Sequence, residues 1–285
     1  MARNTITKKI LCASLALTSA FASMAMMTAC ETSHPEVSMK LSFNGKTYTL
    51  EYELYRKLTP ATAAHFLELV EANYYNGLCV HDYTSSSWSM GGYEYSETKT
   101  DEGGLVYRDY FTEVKKISNF PISVYTDANK SEATYTLYGE FKDNDFKTKN
   151  GSVSNGFGAL TMYYTDKGSN APKVWTVRQS DGELAPKAYE MNSATSMFTM
   201  NVSSSTSAYN DRCTFATLKE GSVDDLQALK DAIASYIEDY SEDETFAPET
   251  EVTINEGDPF VSSGMDDFNV PEKPIVIEEM KVIKW

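Results

Sequence analysis

Four cysteines, three histidines and a dense acidic run are the residues of this 285-residue chain whose types could do chemistry. A thiol serves as nucleophile, metal ligand or lipid acceptor, and a histidine as base or ligand. His81 sits in the apolar run "LCVHDY" with no second histidine near it in sequence, so it reads as a satisfied core residue. The acids from Glu238 to Glu251 lack the ordered ligand spacing of an EF-hand and read as a solvated connection. Neither a metal nor a cofactor is expected. Cys79 and Cys213 lie in strand-like apolar stretches, where a free thiol behaves as a small buried hydrophobe. A disulfide between them is permitted outside the cytoplasm, but two cysteines carry no spacing signature.

The other two cysteines belong to the N-terminus. Arg3, Lys8 and Lys9 precede an apolar stretch from Ile10 through Leu17 and a small, Met-rich run to Ala29. That is the pattern of a secretory signal over residues 1–29, with Cys12 inside it and an apolar part too short for a comfortable membrane span. It ends in "MTAC", Met27 to Cys30, which resembles the lipobox of bacterial lipoproteins. On that resemblance Cys30 is lipidated and anchors the chain to the bacterial membrane, with residues 30–36 as a tether; simple secretion is the alternative. Without the leader, 22 basic against 41 acidic residues leave a net charge of −19. A protein that tracks a nucleic-acid backbone needs the opposite sign, so nucleic acid is not an expected partner.

Residues 37–285 must supply the fold. "VSMKLSF" and "KTYTLEYEL" alternate on either side of Asn44-Gly45, a strong hairpin signal. In "LTPATAAHFLELVEANYYNG", Thr59 suits the N-cap and Pro60 the first helical position. Ala63, Phe66, Leu67 and Val70 recur at helical spacing, and Gly77 is a natural stop. "LCVHDY", "GALTMYY", "RCTFATL" and the closing "KPIVIEEMKVIKW" read as strands. Ser222 and Asp225 make a capping-box-like start for a second helix with a stripe of Val223, Leu226, Leu229, Ile233 and Ile237. Many strands with two helices far apart fit a β-barrel-like or α+β domain better than a βαβ repeat.

These elements, in this order, resemble a cyclophilin, the barrel-fold family of peptidyl-prolyl cis–trans isomerases. "LYRKLTPATAAHFLELVEANYYNGLCVH" is similar to the family's first strand, helix and Phe-His strand, and "MGGYEY" to its Gln-Gly-Gly turn. "YGEFKDNDF", "GALTMYY", "NSATSMF" and "CTFATLKEGSVDDLQAL" match later segments. The resemblance implies a mainly β fold: a cyclophilin-like closed β-barrel with two helices and long loop insertions near 93–135, 165–189 and 238–272. It also implies an isomerase, which the leader would place outside the cytoplasm, that assists folding with proline-containing peptides or unfolded clients as partners.

Rotation about an X–Pro bond needs no nucleophile; it needs a groove, an apolar pocket for the ring and donors that favour the twisted amide. The resemblance implies an Arg, two Gln and aromatic or Met walls for this. Position by position, the Arg falls on Asp82, the two Gln on Met90 and Met197, and a groove His on Arg212. The pocket positions fall on Ser87, Trp88 and Thr199, and the next pair on Tyr163 and Tyr164. Asp82 is either a solvated acid or a rewired catalyst; a carboxylate cannot donate to the prolyl nitrogen. Met90 and Met197 are gap-fillers or peptide contacts, and Trp88 stacks on a ligand proline or fills an insertion interface. Arg212 either returns a guanidinium to the groove or pairs with an acid. Alternation predicts Phe198, Met200 and Val202 in the core and Met197, Thr199 and Asn201 on the groove face. The sequence therefore supports a weak isomerase, a non-catalytic proline-peptide-binding module or holdase, or a surface scaffold whose insertions bind another partner.

Overall fold

The structure, a computed structural model, describes residues 34–144, 146, 153–164, 172–177, 182–189, 193–206, 209–238 and 245–285. The leader with Cys30, and parts of the later insertions, lie outside the described residues.

The chain opens with the expected hairpin of β1 (Glu36–Phe43) and β2 (Lys46–Leu54), turned by Asn44 at φ 47° and Gly45 at φ 78°. Both values are positive, as the tight turn requires, and Asn and Gly tolerate them best. Helix α1 (Pro60–Glu71) follows, with Pro60 in its first turn and Ala63, Phe66, Leu67 and Val70 buried. It stops at Glu71, short of Gly77. Thr59 does not cap it, for its hydroxyl donates back to the Tyr55 carbonyl at 3.2 Å. The cap comes instead from 78 residues away. The Glu140 carboxylate accepts from Ala61 N at 3.1 Å, and from Thr62 N and Thr62 Oγ1, both at 2.7 Å.

Strands β3 (Leu78–Tyr83), β4 (Ser87–Tyr95) and β5 (Leu105–Tyr107) come next, then a one-turn helix α2 (Tyr110–Val114). Two-residue strands β6 (Val124–Tyr125) and β7 (Leu137–Tyr138) precede β8 (Leu160–Met162). After them come β9 (Lys173–Val177), β10 (Leu184–Ala188), β11 (Ser193–Ala194), β12 (Phe198–Asn201) and β13 (Thr214–Leu218). Helix α3 (Val223–Ile237) then leads to β14 (Glu249–Ile254), β15 (Gly264–Asn269) and β16 (Val276–Lys284). Ser222 precedes α3 but makes no side-chain cap; its hydroxyl accepts from Glu51 N at 2.8 Å and ties the helix entry to β2.

The strands β12-β8-β13-β2-β1-β16-β3-β4 follow one another, and β12 pairs again with β4. That second pairing closes an eight-stranded antiparallel barrel, and β5 extends β4 beyond it. One continuous core fills it: Met39, Leu41, Leu50 and Tyr52 with Phe198 and Phe215, and Leu226, Leu229 and Ile233 of α3 against them. Cys79 and Cys213 are both free, buried thiols, so no disulfide links them. Burial pushes the Cys79 thiol up to about 12, as expected of an inert packing residue.

The insertions are more structured than a polar sequence suggests. The segment expected as irregular between 93 and 135 buries Tyr93, Leu105, Tyr110, Phe111, Val114 and Val124. Its β6 joins β9 and β10 in a small sheet, so two insertions share one ladder. The β14–β15 hairpin lies against β3, where Val252, Phe268 and Val270 form a second small core with Cys79, Tyr93 and Leu105. Its loop reaches Tyr189, whose hydroxyl donates to Asp258 Oδ2 at 2.7 Å while the ring meets Phe260 at 4.9 Å. Phe246, within the run expected to be solvated, is buried against Phe43 and Tyr83.

Glu140 offers a direct test of the long-range cap. Glu140→Gln places an N–H donor against helix N–H groups and costs about 1–3 kcal/mol of stability. Burial raises the Glu140 carboxyl above its ordinary range. A raised folded-state value means a contribution that is fully present below the unfolded value and lost as pH rises through the folded one. The stability advantage of wild type over the variant therefore shrinks as pH rises from about 4 upward, through the raised folded-state value. Chemical denaturation across that range measures it, and an advantage that grows with pH contradicts the assignment.

Candidate functional site

A cleft of about 350 Å³ crosses the outer face of the barrel, where β4, β8 and β12 lie side by side. Ser87 and Ser89 of β4 and Thr199 of β12 form one wall. Met162, Tyr163 and Tyr164 form another, with Asp82, Asp211 and Arg212 at the rim.

Strand register decides which residues face it. Across the β4–β12 seam, Asn201 pairs with Ser87, Met200 with Trp88, Thr199 with Ser89 and Phe198 with Met90. Directly paired residues point to the same side of a sheet. Phe198 and Met200 face the core, so Met90 and Trp88 face it with them; Thr199 and Asn201 face outward with Ser89 and Ser87. Trp88 is 1% exposed and stacks on Tyr83 at 5.5 Å, and Met90 is fully buried. The structure thus corrects two of the expected groove residues, Trp88 and Met90, to interior packing. Ser89, which the positional comparison passed over, stands in the groove instead.

A bulge in β3 sets the position of Asp82. Val80 pairs with Met90 and Asp82 with Ser89, leaving His81 as the extra residue. Such a bulge breaks the alternation, so His81 and Asp82 both lie outside the barrel. His81 packs between Tyr93 at 4.9 Å and Phe268 at 5.2 Å, and burial pushes it down to about 3, which holds it neutral. It is a core histidine, with both ring nitrogens buried. Asp82 Oδ1 accepts from the backbone N–H of Asn269 at 3.1 Å and from its side-chain amide at 3.4 Å. The carboxylate at the expected Arg position is therefore a docking point for the β14–β15 hairpin.

Met197 sits beside the cleft rather than in it. A Cβ on Gly92 would come within 2.8 Å of Met197 Sδ, and one on Gly91 within 2.6 Å of the Ser196 carbonyl. The two glycines thus let the 196–197 segment lie flat on β4, and Ser196 Oγ donates to the Gly91 carbonyl at 2.7 Å. Met197 then faces a small cavity walled by Tyr107, Phe111, Tyr163 and the hairpin residues Asn255 and Asp258. Tyr163 spans both spaces, held by its N–H on the Met197 carbonyl at 3.0 Å. Tyr164 meets Phe141 edge-on at 5.2 Å, and burial with Cys213 and Glu140 nearby pushes its hydroxyl well above its ordinary value.

Arg212 is exposed and stands over the Tyr209 ring at 5.2 Å. No ion pair ties it to a described acid, so it brings a guanidinium to the cleft at some distance in sequence from Asp82. The site therefore offers hydroxyls, two carboxylates, one guanidinium and an apolar edge from the tyrosines. Three or more metal-ligating side chains do not converge anywhere among the described residues. No described helix is long and apolar enough to cross a membrane.

Residues 38–256 match the family described as "Cyclophilin type peptidyl-prolyl cis-trans isomerase/CLD". The chain belongs to this family. No curated protein matches the sequence. Among solved structures, a cyclophilin-type peptidyl-prolyl cis-trans isomerase from Cryptosporidium parvum is similar, at 15% identity and a TM-score of 0.43, over 87% of this chain and 97% of that one. The same parasite protein in the presence of the dipeptide Ala-Pro gives 15% identity and a TM-score of 0.42, over 87% and 98%. This cyclophilin closes the eight-stranded antiparallel barrel described above.

Proposed function

We propose that this cyclophilin works outside the cytoplasm, held to the bacterial membrane through a lipidated Cys30. There it binds proline-containing segments of unfolded client proteins and isomerises them weakly. One observation carries the reading: an open cleft remains across the barrel face, but the carboxylate of Asp82 is turned to Asn269 where the resemblance implies a guanidinium donor. Tyr163 and Tyr164 give a proline ring an apolar edge, and among the described residues Arg212 is the one guanidinium lining the cleft. Loss of one preorganised donor costs on the order of 10²–10³ in rate. A non-catalytic binding module or holdase is the limit of the same reading, favoured by Met90 lying in the core and Met197 under the hairpin.

NMR exchange spectroscopy on an Ala-Pro peptide separates these outcomes. The purified protein is expected to shift cleft resonances while accelerating cis–trans exchange at least about 100-fold less than a cyclophilin with the arginine. Full acceleration contradicts the reading, and peptide-induced shifts without acceleration leave the holdase. For the anchor, Cys30→Ala is expected to move the protein from the membrane fraction into the medium. Undiminished membrane retention of that variant removes the lipid anchor from the proposal.

A further inference from the structure

A second recess of about 270 Å³ adjoins the cleft and shares Ser87, Thr161, Thr199 and Arg212 with it. Its other walls are Ser86, Asn155, Asn201, Ser203, Ser205 and Tyr209. Among the described residues no carboxylate and no aliphatic side chain lines it, and Arg212 is the single formal charge there.

The floor is built. Asn201 Nδ2 donates to the carbonyls of Asn155 at 2.7 Å, Gly156 at 3.1 Å and Ser205 at 3.0 Å. Its Oδ1 accepts from Ser203 N and Ser203 Oγ, both at 2.9 Å. Asn155 Nδ2 donates to the Tyr209 hydroxyl at 3.2 Å, and Thr161 Oγ1 donates to Asn155 Oδ1 at 3.2 Å. Asn155 and Asn201 are each 8% exposed, so this network is largely withdrawn from water. It fixes the Tyr209 ring, and the ring carries the guanidinium of Arg212. A stacked guanidinium keeps its planar fork of N–H donors, which matches a carboxylate in shape and charge.

We propose that this recess binds a carboxylate, and that the carboxylate belongs to the bound peptide, as an acidic side chain or the C-terminus near its proline. The source of the carboxylate rests on the peptide-binding function proposed above; the recess itself does not. Asp82 and Asp211 lie in the neighbouring cleft and repel an anion there, so the two lobes set the direction in which a peptide lies. The acidic balance of the chain opposes this little, because exposed charges farther than about 8 Å are screened at physiological salt.

Calorimetric titration tests it, using single-proline peptides with one Glu stepped from three residues before the proline to three after it. Gln isosteres and a C-terminal amide are the references. At one position, Glu or the free C-terminus is expected to bind about two- to fivefold more tightly than its neutral reference. Arg212→Gln removes that preference, and added salt weakens it. A separate arm follows the Arg212 side-chain NMR signal during titration with succinate. Succinate bound at Arg212 without peptide binding supports the recess and overturns the peptide function. Peptide bound with no carboxylate preference and no succinate response overturns the recess and spares that function. A preference for Glu that survives in Arg212→Gln also overturns it.

Discussion

Strand β12 hydrogen-bonds on both flanks, with Phe198 opposite Met162 of β8 and opposite Met90 of β4. This short seam closes the barrel, and closure leaves no free edge along the eight strands. It also fixes everything about the site. Because paired residues share a side, one register assigns Phe198, Met200, Trp88 and Met90 to the core and Thr199, Asn201, Ser87 and Ser89 to the outer face. A one-residue slip would exchange the two sets and bury hydroxyls while exposing a tryptophan. The interior set therefore resists change, whereas the outer set can alter with little cost to the fold.

The outer face is also where the β14–β15 hairpin docks. The β14–β15 hairpin buries Phe268 against His81 and Tyr93, and Tyr93 donates its hydroxyl to the Thr253 carbonyl at 2.8 Å. Glu102 accepts from Thr253 Oγ1 at 2.6 Å and pairs with Lys99 at 2.5 Å, which clamps the hairpin's other strand. Burying a phenylalanine contributes about 1.5–3 kcal/mol, so the docked hairpin is a firm part of the molecule. Asp82 belongs to this docking surface. At the position where the resemblance implies a guanidinium, this carboxylate supplies an acceptor for the hairpin strand.

Much of the barrel could be read from the sequence because its signals are local. Asn44-Gly45 marks the first hairpin, the Ala63–Val70 spacing marks α1, and Phe198, Met200 and Val202 alternate into the core as expected. The site was less legible. The bulge at His81 shifts which side of the sheet each residue faces, and no residue type announces it. Positional comparison puts Trp88 and Met90 in the groove beside Ser87, whereas the β4–β12 register turns both into the core and brings Ser89 out. The Glu140 cap and the Asn269–Asp82 contact join residues 78 and 187 positions apart, and local patterns carry no trace of them. Polar composition likewise hid how the insertions bury Val252 and Phe268 in one small core and Tyr189 in another.

The central claim is that Asp82 holds the β14–β15 hairpin and takes no part in isomerisation. Residue-resolved amide hydrogen exchange on wild type and Asp82→Ala, with isomerisation measured on the same samples, tests it most directly. The account predicts faster exchange at Asn269 and along β14–β15, unchanged protection in β1 and β2, and an isomerisation rate that does not fall. Unchanged protection at Asn269 together with a lost isomerisation rate would contradict it and return Asp82 to catalysis.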